Sequence, residues 1–263
     1  MKPSTDRGMS VEAGKTSYTD SASNRGARLL GIVTYYHRRQ DGQEILRYLK
    51  RWWSPRELAG LLHRSDAPLR SRLGLEDAAI SATAAYCLGL IGGSTAVWPL
   101  ISALRHGDGL VVQAAEDALW HVWLTAGGPG DRQRLRRAAE LIEGSRYAAA
   151  VAVLDDIIES NPEFAEAYHQ RALAKSLAGD VVDAIADCKR AVDRNPYHFG
   201  ALACMGHGHV HLGQLREALT CYRAALKLHP RLEGIGQSIE ELQRRGPSID
   251  RGLRLVREEP LSV

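Results

Sequence analysis

Apolar side chains along most of the chain recur at three- and four-residue steps, the spacing of helices with one buried face. Between residues 57 and 125 this pattern returns after 31 residues. Pro68, Leu69, Leu73, Asp77, Ile80, Ala84, Leu88 and Ile91 correspond to Pro99, Leu100, Leu104, Asp108, Val111, Ala115, Leu119 and Val122. From residue 131 a stricter period takes over: Pro162, Pro196 and Pro230 stand 34 residues apart. With each proline at position 32, the repeats run 131–164, 165–198 and 199–232. Position 8 is then Ala138, Ala172 and Gly206, and position 20 is Ala150, Ala184 and Ala218. Position 15 is Ser145, Gly179 and Gly213, position 17 is Tyr147, Val181 and Leu215, and position 24 is Leu154, Cys188 and Tyr222. Position 27 is Ile157, Ala191 and Ala225. Small residues at 8 and 20 let two antiparallel helices approach closely, and larger ones at 17 and 24 fill the space beside them. Glycine at 15 suits the turn between them, and proline at 32 ends the second helix.

These positions resemble the tetratricopeptide repeat (TPR), which has this period and this small-residue pattern. The usual Trp of that family at position 4 is Arg134, Tyr168 and Leu202 here. Upstream, Ala84-Ala-Tyr-Cys-Leu-Gly-Leu-Ile-Gly-Gly93 followed by Ala96-Val-Trp-Pro-Leu-Ile-Ser-Ala-Leu104 is similar to the short HEAT-like repeats also seen in bilin lyases. One helix ends at a glycine pair, and the next opens with a proline in its first turn. The first unit is imperfect, with Arg70 and Arg72 where the second has Ile101 and Ala103; its first helix can instead run from Arg56 to Arg64.

The expected fold class is therefore all-α, an alpha-alpha superhelix. Residues 1–28 read as a disordered tail and 29–56 as a basic, aromatic capping segment. Residues 57–125 read as HEAT-like repeats, 131–232 as three TPR hairpins, and 233–263 as a capping helix and tail. Ala126-Gly-Gly-Pro-Gly-Asp131 reads as the joint between the two solenoids. Ile235, Ile239 and Leu242 share the inner face of the cap. Trp120-His121-Val122-Trp123 reads as a packed helix end.

Composition agrees. The chain of 263 residues is 44% apolar but 6% aromatic, with two Phe, as expected where Ala, Gly and Leu occupy close helix contacts. Its 34 basic and 31 acidic residues leave a net charge of +3, too small to imply a nucleic-acid binder. Residues 1–60 hold 11 basic and 6 acidic groups, so the excess belongs there. The start has no apolar run to serve as a secretory leader, and no stretch reaches the roughly 20 apolar residues of a membrane span. Cys87, Cys188, Cys204 and Cys221 form no Cys-x-x-Cys pair and read as reduced, mostly buried thiols. A cytoplasmic protein is expected, without a membrane partner.

Three groups of residues are candidates for function. In TPR proteins the peptide-binding groove is formed by positions 2, 5, 9, 12 and 13 of each first helix. The resemblance carries these over to Arg132, Leu135, Ala139, Ile142 and Glu143, then Glu166, His169, Leu173, Ser176 and Leu177, then Gly200, Ala203, His207, Val210 and His211. The Lys and Asn with which chaperone-tail binders clamp a carboxylate are missing. The groove suits an apolar or amphipathic helical peptide, and the protein's own tail or another repeat can fill it instead. Second, Cys204, His207 and His211 share one helical face and are residue types that bind zinc, without a fourth ligand nearby. Third, residues 25–56 interleave cations with Tyr35, Tyr36, Tyr48, Trp52 and Trp53. That pattern can grip single-stranded nucleic acid, or can be an amphipathic cap with Ile45, Leu46, Tyr48, Leu49, Trp52 and Trp53 turned inward. The second is favoured, so nucleic acid is an unlikely partner.

No phosphate-binding loop or nucleophile elbow is present, so no catalytic residue, no resident metal and no cofactor is expected. The sequence thus points to a non-catalytic scaffold for a protein or peptide partner. The alternatives are an enzyme-accessory protein of the bilin-lyase type and a nucleic-acid binder.

Overall fold

The computed structural model describes residues 22–38, 42–62 and 74–244, and every regular element among them is helical. Most of the N-terminal tail, Pro68, Arg70, Arg72 and the residues after 244 lie outside the described residues.

Helices α1 (Ala22–Arg38) and α2 (Gly42–Trp52) form the capping segment, so residues 22–28, expected as tail, are helical. Leu29, Ile45 and Leu49 are buried in a core shared with the next helices. Trp52 does not turn inward; it is 47% exposed. α3 (Pro55–Leu62) opens with a capping box. The Ser54 hydroxyl accepts from Glu57 N–H at 3.3 Å, and Glu57 accepts from Ser54 N–H at 2.9 Å. α3 packs on α4 (Gly74–Ile91), so the first helix of this unit is the earlier of the two candidates. A short 3₁₀ turn (Gly93–Ala96) leads into α5 (Val97–Ala103), which packs on α6 (Gly109–Thr125). Asp108 caps α6 by accepting from Leu110 N–H at 2.8 Å. The equivalent residues Ala84, Leu88, Ala115 and Leu119 are all fully buried where α4 and α6 lie side by side.

The 34-residue hairpins follow: α7 (Gly128–Glu143) with α8 (Tyr147–Ser160), α9 (Ala165–Ala178) with α10 (Val181–Arg194), and α11 (Phe199–His211) with α12 (Leu215–Leu228). Each second helix ends two residues before its proline. Ala138, Ala150, Ala172 and Ala218 are fully buried, as the close approach of paired helices requires. At Gly206 the demand is strict, because a Cβ there would lie 2.3 Å from the Tyr222 ring. The hairpin turns use a left-handed residue at position 15. Gly179 has φ +95° and Gly213 +72°, and in the first repeat Ser145 takes the same conformation at φ +56°. Residues 235–244 form α13, whose Ile235 and Leu242 cover the end of the third hairpin.

The expected joint is shorter than its turn-forming residues suggest. Only Ala126 and Gly127 separate α6 from α7. Pro129 sits in the first turn of α7, where its missing N–H has no helical partner to lose. The two blocks therefore meet at a fixed corner. The first helices of the hairpins, α7, α9 and α11, contact one another and line the inner side of the coil. α6 lies against α7 and α9 on that side.

Candidate functional site

The inner side is divided in two. At its head, the C-terminal end of α6 covers position 5 of the second repeat, His169, and position 2 of the third, Gly200. The Trp120 ring stacks on His169, with centroids 5.9 Å apart and planes inclined by 29°. It meets Phe199 edge-on at 5.5 Å. Trp123 stacks on His198 at 4.6 Å. Gly200 lies directly beneath Trp120, where a Cβ would come within 2.6 Å of the ring. Further along, His229 Nε2 meets Glu116 Oε2 at 3.0 Å. The Arg105 guanidinium donates to the Lys227 carbonyl, and Arg231 donates to the Gly107 carbonyl at 3.0 Å. The N-terminal block thus reaches from the second repeat to the end of the third. A cleft of about 320 Å³ remains between the blocks, lined in part by Val97, Trp123, Phe164, Arg194 and Asn195.

Beneath the tryptophans lies a buried charge cluster. Glu166 is 1% exposed. Its Oε1 accepts from Gln170 at 2.7 Å and from His169 Nδ1 at 3.3 Å, and its Oε2 accepts from His198 Nε2 at 2.9 Å. His198 caps α11 by accepting the Ala201 N–H on Nδ1 at 3.1 Å, which leaves the ring proton on Nε2. Burial, then the neighbouring His169 charge, hold the pKa of His198 down, so it stays neutral. Burial also opposes charge on His169, but Glu166 outweighs it and raises that pKa. Burial alone would raise the pKa of Glu166. Its two histidine partners instead hold it well below the usual carboxylate range. The cluster is a Glu166–His169 ion pair with His198 as a neutral donor.

Among the described residues, Glu166, His169 and His198 are a set whose ligand atoms lie within 4.8 Å of one another. Their chemistry does not fit a cation. His198 Nε2 must keep its hydrogen while Nδ1 accepts, and both Glu166 oxygens already accept from donors. The candidate set of Cys204, His207 and His211 is not among the clustered ligand sets of the described residues. His207 Nδ1 hydrogen-bonds the Tyr222 hydroxyl at 2.7 Å, and His211 is exposed. Cys204 packs against the core that holds Cys188 of α10.

The carried-over groove residues divide accordingly. Leu135, Glu166 and Ala203 are buried, and His169 is nearly so. Leu135 packs in the core of the first hairpin. Leu173 is 37% exposed and Leu177 52%. His207 and His211 are exposed, Ala139, Ile142 and Val210 are half-buried, and Arg132 lies open near the joint. In the basic segment, Arg25 pairs with Glu57 at 2.8 Å and lies over the Trp53 ring, while Arg51 lies over Trp52. Those cations and rings are turned on each other.

Sequence reasoning missed His198, which stands at position 34, outside the groove set. Its cue was a capping-competent side chain three residues before Ala201. It also read Trp120 and Trp123 as a packed helix end without placing that end in the groove.

The chain is 27% identical over 108 residues to a TPR repeat-containing protein of Rhizobium etli. The match covers 41% of this chain and 53% of that protein, so this chain spans about half the length of the relative. It carries a TPR-type repeat fold, as α7–α12 themselves show. Solved structures similar to it include the Sgt2 TPR domain of Aspergillus fumigatus, at 17% identity and a TM-score of 0.45, over 51% of this chain and 88% of that one. The first TPR of Spaghetti bound to an HSP90 peptide is similar at 20% identity and a TM-score of 0.41, over 42% of this chain and 88% of that one. The P58(IPK) TPR domain reaches 90% of this chain and 68% of its own, at 20% identity and a TM-score of 0.43. No protein-family profile matches the chain. Among the described residues, no helix is long and apolar enough to cross a membrane.

Proposed function

We propose that this protein is a non-catalytic interaction module of the cytoplasm that docks an amphipathic helix or peptide of a partner protein on the open half of its concave face. The observation that carries this reading is the exposure of Leu173 and Leu177, groove positions four residues apart on α9, beside the half-buried Val210 on α11. Apolar side chains set in a groove between helices are what an amphipathic helix lays its own apolar face against. The closed half supports the same chemistry, because its occupant is a helix end that presents aromatic rings. Chaperone-tail capture is disfavoured, since the groove lacks the Lys and Asn clamp and its head is covered. The stacked hairpins α3–α4 and α5–α6 are read as HEAT-like, with the role of closing that head.

The test is affinity capture from the native cells with the tagged full chain, read by mass spectrometry. Leu173→Glu with Leu177→Glu is expected to lose the captured partner at least tenfold, at unchanged helicity. Val182→Glu, on an exposed site of α10, is expected to keep it. Equal recovery by both variants would show that the groove is not the docking face.

A further inference from the structure

The cleft between the two blocks lies at the start of α9, at the opposite end of that helix from Leu177. Its volume of about 320 Å³ is at the small end of the roughly 300–1,000 Å³ of ligand clefts. The N-terminal block supplies Val97, Val122 and Trp123 to its walls, and the C-terminal block supplies Phe164. The two aromatic walls are held in place. Trp123 is stacked on His198, and a Cβ on Gly127 would come within 2.7 Å of the Phe164 ring. Trp123 is 5% exposed, yet its indole Nε1–H is a buried donor without a partner among the described residues. A donor left unpaired in this way costs stability, and native structures hold few of them.

The cation of the cleft is Arg194, in the last turn of α10. Its Nε donates to the Pro162 carbonyl and its Nη1 to the Arg190 carbonyl at 3.0 Å. The guanidinium carbon lies 4.2 Å from the centroid of the Tyr168 ring. Among the described residues no carboxylate pairs with it. A guanidinium tethered by neutral carbonyls and a ring is oriented, and its charge is still uncompensated. On the next residue, Asn195 Oδ1 accepts from the Tyr197 N–H at 3.2 Å, which leaves the Nδ2 hydrogens to donate. The acids of the lining are engaged elsewhere. Glu163 is exposed to water, and Glu166 accepts from Gln170, His169 and His198.

We propose that this cleft binds a small carboxylate with an aromatic body, of the arylalkanoate class. The carboxylate sits on the Arg194 guanidinium, and the aromatic body lies among Val97, Trp123 and Phe164. The observation that carries this is an anchored guanidinium without an acid partner on an otherwise apolar cleft. Charge-assisted pairing with a carboxylate is the strong form of hydrogen bond that such a group makes. The aromatic walls favour a ring over a plain alkyl chain. The ligand touches both blocks, so it binds only where they are packed together and stabilises that packing by mass action.

The experiment uses the full chain and 3-phenylpropanoate, titrated by calorimetry at neutral pH and millimolar concentrations. Binding is expected, with a rise in the thermal midpoint. The neutral 3-phenylpropanamide, which has the same body, is expected to bind at least about tenfold more weakly. Arg194→Gln is expected to bring the acid down to the level of the amide. Lys189→Gln, at an exposed cation of the same helix, is expected to keep native affinity. Val97→Phe, which narrows the cleft from the N-terminal block, is expected to weaken acid and amide alike. Arg194 also holds the Pro162 loop, so the comparison of acid with amide on the native protein is the arm that needs no variant. Equal binding of the two, or no binding of the acid, would overturn the proposal. So would native affinity for the acid in Arg194→Gln.

Discussion

Ser145 holds the left-handed conformation that Gly179 and Gly213 take at the same turn of the later repeats. An L-residue with a Cβ pays steric strain there that glycine avoids. Ser145→Gly is therefore expected to raise the unfolding free energy by about 1 kcal/mol, read from the midpoint of urea denaturation. The buried histidines make a second prediction. From an ordinary value of 6.5, His169 is raised and His198 lowered. Below pH 6.5 the unfolded chain binds two protons at this pair and the native one binds only that of His169, so stability rises with pH. Above 6.5 the unfolded chain binds neither while His169 keeps its own, so stability falls as pH climbs through the native value of His169. The stability difference between the native protein and a His169→Gln, His198→Gln variant should peak near pH 6.5. A difference that is flat from about pH 5 to 8 would contradict the assigned charges.

At the scale of elements, the second hairpin is held by more than its small residues. Asp187 on α10 is fully buried. It accepts from both Arg171 Nε and Nη2 at 2.8 and 2.7 Å, from Lys175 at 2.8 Å and from Arg190 at 2.7 Å. Arg171 also reaches Asp155 on α8 at 2.6 Å, so one guanidinium links three helices. Removing the buried carboxylate leaves these cations without their partner. Asp187→Ala should cost about 3–5 kcal/mol, measured by chemical denaturation. The helices and their pairing were legible because each depends on residues close in sequence: prolines two places past a helix, small residues at 8 and 20, a left-handed residue at 15. The Asp187 network was not legible, since charges at regular spacing look the same on a wet face as in a buried one. The joint misled for a local reason. Gly128, Pro129 and Gly130 are turn formers by type, yet a helix tolerates all three in its first turn.

The whole molecule is set by a contact that no repeat pattern encodes. α6 belongs to the N-terminal period, and the surface it covers belongs to the C-terminal one. Trp120 and Trp123 meet His169, His198 and Phe199 only because the corner at Ala126–Gly127 swings one block over the other. Which of the carried-over groove positions stay open was not legible. That depends on this long-range packing. The contact should also couple the blocks in unfolding. All five tryptophans lie between residues 52 and 123, so their fluorescence reports the N-terminal block, while circular dichroism reports both. The two signals are expected to coincide in the native protein and to separate after Trp120→Ala with Trp123→Ala. Coincident transitions in that variant would show that the tryptophans do not join the blocks.

The central claim is that a partner helix lies on the open half of the concave face. A photo-crosslinking amino acid placed at position 177, and separately at 182, tests it in the native cell. Adducts to one partner from position 177 and none from 182 are the result predicted here. Adducts from 182 to that partner, with position 177 silent, would contradict it.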